Sequence, residues 1–493
     1  MLAEVVARSK SRRNSRRAKL PSCHRARERA HHEECPASMH DKAVQIRLGD
    51  VSSPAMRAFH VTWSSFFLCF FGWFGIAPLM AVVRDEFGLT KAQVGNTVIA
   101  SVAITIVARL FVGWLCDRVG PRLAYTGLLL LGSLPVMGIG LAHDYTTFLV
   151  CRLLIGAIGA SFVITQYHTS QMFAPNCVGT ANATTAGWGN LGGGITQMAM
   201  PALFAAAVGL GASEHAAWRL AMLVPGLLMV AMGVVYYRAT VDTPRGNFAE
   251  LRARGEQVGA GKRAGGFAIA ARDRRVWVLF CAYAACFGVE LTVNNVGALY
   301  FHDTFQLGMA GAGVVAGLHG AMNLFARTLG GFVSDRVARL RGLRGRALVL
   351  SLALLCEGLL LFGFARAGAL PSAIGFYLAF SLFVSASCGA TYAVVPMLDK
   401  RALGSIAGIV GAGGNAGAVL AGFLFRAESL RAASAFGYLA TAVVASAVLA
   451  LTLRFSADEE RNAQAEMERS LEARRALTGG GAEPAAAVPA SAN

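Results

Sequence analysis

Stretches of about twenty or more mostly apolar residues recur along this chain, and each is long enough to cross a ~30 Å hydrocarbon layer as a helix. They cover residues 59–83, 94–117, 123–142, 146–172, 180–208 and 216–238, then 276–301, 312–335, 347–366, 371–396, 403–425 and 432–454. In lipid only helices and closed barrels satisfy their backbone, and unbroken runs of this length are helical. The expected fold is therefore an all-α integral membrane protein with twelve transmembrane helices, six in each half. Charged residues make up 15% of the 493, against ~25% in a soluble domain, so an ordinary soluble enzyme is excluded. No nucleophile–base pair or metal cluster stands out in the apolar runs, so neither an enzyme nor a cofactor is expected.

Orientation follows from Lys and Arg. Arg118 and Arg122, then Arg336, Arg339, Arg341, Arg344 and Arg346, then Lys400 and Arg401 fall in short connections on one side. The central loop adds Arg245, Arg252, Arg254, Lys262, Arg263, Arg272, Arg274 and Arg275 to the same side. An even helix count places both termini there too, in the cytoplasm of an inner-membrane, multi-pass protein. The formal charge of +17 is thus a topology signal and not a nucleic-acid footprint. Five regions follow: a disordered basic arm at 1–57, a six-helix bundle at 58–239, a cytoplasmic linker at 240–275, a second bundle at 276–455, and a tail at 456–493. The tail reads as a short charged helix followed by disorder. The arm has no apolar core, so it is not a secretory signal; it suits an anionic lipid surface. Its Cys23, His24, His31, His32 and Cys35 fit no zinc spacing, and Met39 and Met56 are alternative starts.

The two halves resemble each other. Arg109-Leu110-Phe111-Val112-Gly113 through Asp117-Arg118 has a counterpart in Arg327-Thr328-Leu329-Gly330-Gly331 through Asp335-Arg336. Gly189-Asn190-Leu191-Gly192 is answered by Gly414-Asn415-Ala416-Gly417. Paired halves around a midplane site are the architecture of secondary transporters. Arg109 and Arg327 lie inside their apolar runs, where an arginine costs about 2.5–3.5 kcal/mol on insertion scales. No acid occurs in 94–116 or 304–334, so both are expected to be unpaired, and two unpaired cations at equivalent positions suit a small anion clamped between them.

Gly113-x-Leu115-x-Asp117-Arg118-x-Gly120-x-Arg122 resembles the loop signature of the major facilitator superfamily. Gly187-Trp188-Gly189-Asn190-Leu191-Gly192-Gly193-Gly194 and Gly411-Ala412-Gly413-Gly414-Asn415-Ala416-Gly417 resemble the twin signatures of its nitrate/nitrite porter family. Gly288-Val289-Glu290-Leu291 with Asn294-Asn295 is similar to the high-affinity nitrate transporter branch. The resemblance covers roughly 59–454 and implies the major facilitator fold, transport of nitrate and nitrite by alternating access, and a monomer. It implies that Arg109 and Arg327 bind the substrate, with Asn190 and the matching Asn415 as amides and Tyr283, Phe287 and Phe162 as cavity aromatics. It also implies that Asp117, Arg118, Asp335 and Arg336 lock the cytoplasmic loops. Gly187, Gly189, Gly192, Gly193, Gly414 and Gly417 are read as close-packing positions on which helices slide.

Coupling is the open point. Proton symport needs a group that changes charge, and Glu290 shares a helix face with Tyr283, Phe287 and Asn294. It is the expected proton carrier; Glu357, Asp399, His168 and His319 are the other intramembrane titratable groups. Nitrate/nitrite exchange needs no such group, and a membrane nitrate sensor without net flux is a third reading.

Overall fold

The computed structural model describes residues 42–174, 177–256, 266–398 and 403–465. These hold eleven helical stretches long and apolar enough to cross a membrane: α1 Pro54–Phe87, α2 Lys91–Val119, α3 Pro121–Leu141, α4 Tyr145–Met172, α5 Val178–Gly209, α6 Glu214–Ala239, α7 Arg274–Phe305, α8 Met309–Arg366, α9 Leu370–Met397, α10 Ser405–Arg426 and α11 Ala432–Ala450. Among the described residues β-pairing is confined to isolated bridges. The molecule is an all-α, multi-span membrane protein.

Capping chemistry sets the helix starts. Ser53 accepts a hydrogen bond from the Met56 amide, and Pro54 fills the first turn, where its missing N–H costs nothing. Apolarity alone placed that start at residue 59. Residues 43–53, counted above with the basic arm, lead into α1 in an ordered path: the Ala43 amide donates to the Met172 carbonyl at 3.0 Å, and the Ala174 amide to the Ala43 carbonyl at 2.9 Å. Thr90 and Gln93 form a reciprocal capping box at the start of α2. The earlier part of the arm, Lys262 and Arg263 of the linker, Asp399, Lys400 and Arg401, and the tail beyond 465 lie outside the described residues.

The number of stretches differs from expectation because α8 is 58 residues long. As one straight helix it would run ~87 Å at about 1.5 Å per residue, twice a bilayer. It is broken by a 3-10 turn at Met322–Leu324 and by Gly342, whose φ of 62° and ψ of −154° are non-helical.

α1 packs on α5 and α6, and α3 on α6; α7 packs on α10, and α8 on α9 and α11. The two groups meet where α5 crosses α8 and α2 crosses α10. At one end they are tied together: Arg84 Nη1 reaches Asp303 Oδ2 at 2.6 Å, and the Lys91 ammonium donates to the Leu430 carbonyl. At the opposite, basic end a cavity of about 310 Å³ opens between α5 and α8, lined by Ile46, Thr180, Thr184, Gly187, Leu324 and Thr328.

Two carboxylates cap helices at the basic end. Asp242, just after α6, accepts from the Arg122 amide at 2.8 Å and the Phe248 amide at 2.9 Å. Gly120, at φ 88°, leaves no room for a side chain there, since a Cβ would sit 2.4 Å from the Asp242 carboxylate. Glu460, in the helical start of the tail, accepts from the Leu343 amide at 2.8 Å and the Arg344 amide at 3.3 Å. A Cβ on Gly342 would meet that carboxylate in the same way. Each acid caps the helix that follows its glycine. Burial pushes the Asp242 carboxyl above the usual range, although the two amides and Arg122 pull it down.

Candidate anion site between the helix groups

Arg109 in α2 and Arg327 in α8 both point inward, each over an aromatic ring. The Arg109 guanidinium stands 5.5 Å from the Phe162 ring centroid and that of Arg327 stands 5.7 Å from Phe287. A ring face attracts a cation without competing for its N–H donors, so it can hold each guanidinium while leaving the fork available. Arg109 Nη1 donates to the Gly411 carbonyl of α10 at 3.1 Å.

The expectation that both arginines lack a partner fails for Arg327. Its Nη2 meets Glu290 Oε2 at 2.7 Å, and the other carboxylate oxygen accepts from Asn323 Nδ2 at 2.9 Å. The acid comes from α7, outside the apolar run that carries Arg327. Both residues are buried, Glu290 to 1% exposure and Arg327 to 9%. With its amide oxygen turned toward the guanidinium, as the surrounding donors require, Asn190 accepts from Arg327 Nη1 at 2.9 Å and Nη2 at 3.1 Å. The cluster thus holds two cations and one carboxylate.

The α7 aromatics join it. Tyr283 and Phe287 stack at 5.0 Å, and Tyr392 of α9 stands edge-on to Tyr283 at 5.1 Å. A Cβ on Gly411 would lie 3.2 Å from the Tyr392 hydroxyl and 3.8 Å from Arg109 Nη1, so that hydroxyl and the guanidinium converge. Tyr392 escaped the sequence reading, yet Gly389-Ala390-Thr391-Tyr392 repeats Gly159-Ala160-Ser161-Phe162. Asn415 is fully buried, and among the described residues neither of its amide atoms has a hydrogen-bond partner; unlike Asn190, it makes no bond to an arginine there.

The other titratable groups stand apart. His168 bonds the Tyr236 hydroxyl at 2.6 Å and the Val241 carbonyl at 2.8 Å. His319 bonds the Ser381 hydroxyl at 2.7 Å. Glu357 is fully buried in α8. At the basic end Asp335 pairs with Arg346 at 2.6 Å. Arg252 donates to the Asp117 carbonyl at 3.0 Å and to that of Arg118, Arg118 lies over Trp114, and Arg336 is exposed.

The signature glycines are packing positions of two kinds. Gly189 and Gly192 sit against Phe66 and Phe67 of α1, while Gly414 and Gly417 sit against Phe287 and Ala284 of α7. Gly187 faces the Asn323 carbonyl and Gly193 faces Phe74 and Asn294. One residue further on the backbones of the two groups themselves meet, since a Cβ on Gly194 would lie 2.6 Å from the Gly320 Cα. Overpacking costs about 1–3 kcal/mol, and 1.4 kcal/mol shifts an equilibrium about tenfold. Gly194→Leu is therefore expected to lower flux about fivefold or more without loss of folded protein, read as transport per molecule by size-exclusion-checked protein; unchanged flux would show the contact to be dispensable.

Comparison with known proteins agrees with this architecture. The Major Facilitator Superfamily model matches residues 62–422. The chain is 39% identical over 392 residues to "High affinity nitrate transporter 2.5" of Arabidopsis thaliana, covering 79% of this chain and 78% of that one. It is 31% identical to "Nitrate/nitrite transporter NrtP" of a Picosynechococcus strain, over 74% and 83% of the two chains. A bacterial homologue of the human lysosomal transporter Spinster, solved in an inward-facing, unoccupied conformation, superposes with a TM-score of 0.61 at 15% identity, over 85% of this chain and 98% of that one; this last likeness is one of fold. The helices define a multi-span membrane protein, and the relatives it matches are transporters and not enzymes. The chain belongs to the major facilitator superfamily, in its nitrate/nitrite porter branch.

Proposed function

We propose that the protein carries nitrate, and nitrite as well, across the inner membrane by alternating access, with protons accompanying uptake. The observation that carries this reading is the Arg327 guanidinium held jointly by Glu290 and Asn190. Nitrate is planar, singly charged and offers only acceptors, which an arginine fork matches better than an ammonium does. On this reading Arg109 and Arg327 grip the anion from opposite halves, Asn190 orients Arg327, and Tyr283, Phe287, Phe162 and Tyr392 shape the cavity. Asn415 supplies a second amide once the halves move.

Glu290 competes with the anion for Arg327. When the carboxylate takes a proton it gives up the guanidinium, which then accepts nitrate; proton and anion thereby favour each other's binding, the thermodynamic content of symport. Twelve spans are proposed, with the two limbs of α8 on either side of Gly342 crossing separately. The bundles at 58–239 and 276–455 rock about the site, and both termini and the arginine-rich end face the cytoplasm. The loop acids and arginines Asp117, Arg118, Asp335 and Arg336 serve the cytoplasmic gate, and the glycine signatures form the sliding surfaces. Tied contacts at the Arg84–Asp303 end and a cavity at the basic end support an inward-facing conformation for this structure.

Labelled nitrate uptake into proteoliposomes, with and without an inward proton gradient, is the test. Stimulation by the gradient is expected. Flux without any response to it would replace symport by nitrate/nitrite exchange, and binding without flux would leave a sensor.

A further inference from the structure

A third intramembrane arginine, absent from the repeat, lies between the site and the tied end. Arg152 of α4 is 1% exposed, and its partners are all neutral: Nη1 donates to the Trp73 carbonyl at 3.3 Å, and Nη2 to Ser101 Oγ at 3.3 Å and to Asn295 Oδ1 at 2.9 Å. The last bond crosses from one helix group to the other. Asn295 is oriented for it by its own Nδ2, which donates to the Leu291 carbonyl at 2.9 Å. Next to it in the chain, Asn294 is 2% exposed with neither amide atom hydrogen-bonded among the described residues, although its backbone carbonyl accepts from Gln197 Nε2 at 2.7 Å. Gln197 is itself fully buried, and its Oε1 has no partner.

A guanidinium buried among neutral acceptors, with no counter-ion, is costly where it stands, and its bond to an amide oxygen repeats the chemistry of the Arg327–Asn190 pair. An atom that bridges the two groups must face the gap when they separate. We propose that Arg152 forms an outer receiving site for a planar oxyanion, covered by the Asn295 latch in this conformation and uncovered when the Arg84–Asp303 end opens. In the closed state Asn295 Oδ1 occupies the donor that the anion takes in the open one. The proposal rests on the transport reading above, because the anion must pass this point to reach Arg327.

The test measures nitrate KM separately from each face of oriented proteoliposomes for wild type, Arg152→Gln and Asn295→Leu. Both variants break the bridge, but only Arg152→Gln removes the cation. Arg152→Gln is expected to raise KM from the Arg84–Asp303 face about tenfold or more, the loss of a charge-assisted hydrogen bond, and to change KM from the basic face much less. Asn295→Leu is expected to leave the outer KM near wild type. If Arg152→Gln does not accumulate as folded protein, Arg152→Lys takes its place: it keeps the charge, loses the fork, and is expected to raise the same KM. Equal shifts in the Arg152 and Asn295 variants would reduce the cluster to a latch and overturn the proposal. So would a normal outer KM in a transporting Arg152→Gln protein, which leaves the transport reading intact. A wild type that moves no nitrate overturns both.

Discussion

Arg327→Lys is expected to retain no more than about 1% of wild-type nitrate uptake, with Arg109→Lys similarly impaired, although both proteins reach the membrane folded. A hydrogen bond to a charged group contributes about 1.5–3 kcal/mol, and on the proposed reading the planar fork that Arg327 now presents to Glu290 turns to the anion with two bonds that an ammonium cannot reproduce. Loss of two such bonds corresponds to about two decades or more in rate. For Arg109 the change removes a donor held at the Gly411 carbonyl and over the Phe162 ring. Initial rates of labelled nitrate uptake, normalised to folded protein, read the effect. Near-normal uptake by either variant would sink the two-arginine grip.

Glu290→Gln is expected to remove stimulation of uptake by an inward proton gradient while preserving nitrate counterflow. The ion pair at 2.7 Å adds a second, independent readout. Removing one partner of a buried pair destabilises by about 3–5 kcal/mol, because the remaining charge is left uncompensated. Nitrate itself can supply that compensation. The Gln protein should therefore melt lower than wild type without nitrate, and nitrate should raise its Tm more than it raises that of wild type, with little dependence on pH. Full gradient stimulation in the Gln variant would show that another group carries the proton. A wild-type Tm response to nitrate equal to that of the variant would show that Glu290 and the anion do not compete.

Much of this was legible along the chain because it repeats or runs long. The apolar stretches locate the helices to within a few residues, and errors occur where a cap such as Ser53 or a break such as Gly342 decides the boundary. Arg109 and Arg327 emerge from the repeat, whereas the rings beneath them, Phe162 and Phe287, come only with the family resemblance. What the sequence hides is pairing across helices. Glu290 meets Arg327 from a helix 37 residues away in the chain, and an apolar run carries no register for such contacts. Arg152 is hidden for a different reason: it stands alone in its stretch, with no counterpart to draw attention to it, and its meaning appears only when Asn295 is seen against it. Asn323, which holds the far oxygen of Glu290, lies in a 3-10 turn that reads as ordinary helix.

The carboxylates cradled at Gly120 and Gly342 have a bearing on assembly. Asp242 joins the end of α6 back to the α2–α3 turn, and Glu460 joins the segment after α11 back to the bend in α8. Each set of helices is thereby fastened end to middle by its own acid, so its integrity does not depend on the peptide that connects it to the other. Two fragments severed in the linker, for example after Glu256, and co-expressed as separate polypeptides are expected to assemble in the bilayer into a transporting protein. A fragment ending before Glu460 would lose its clasp and be the weaker partner.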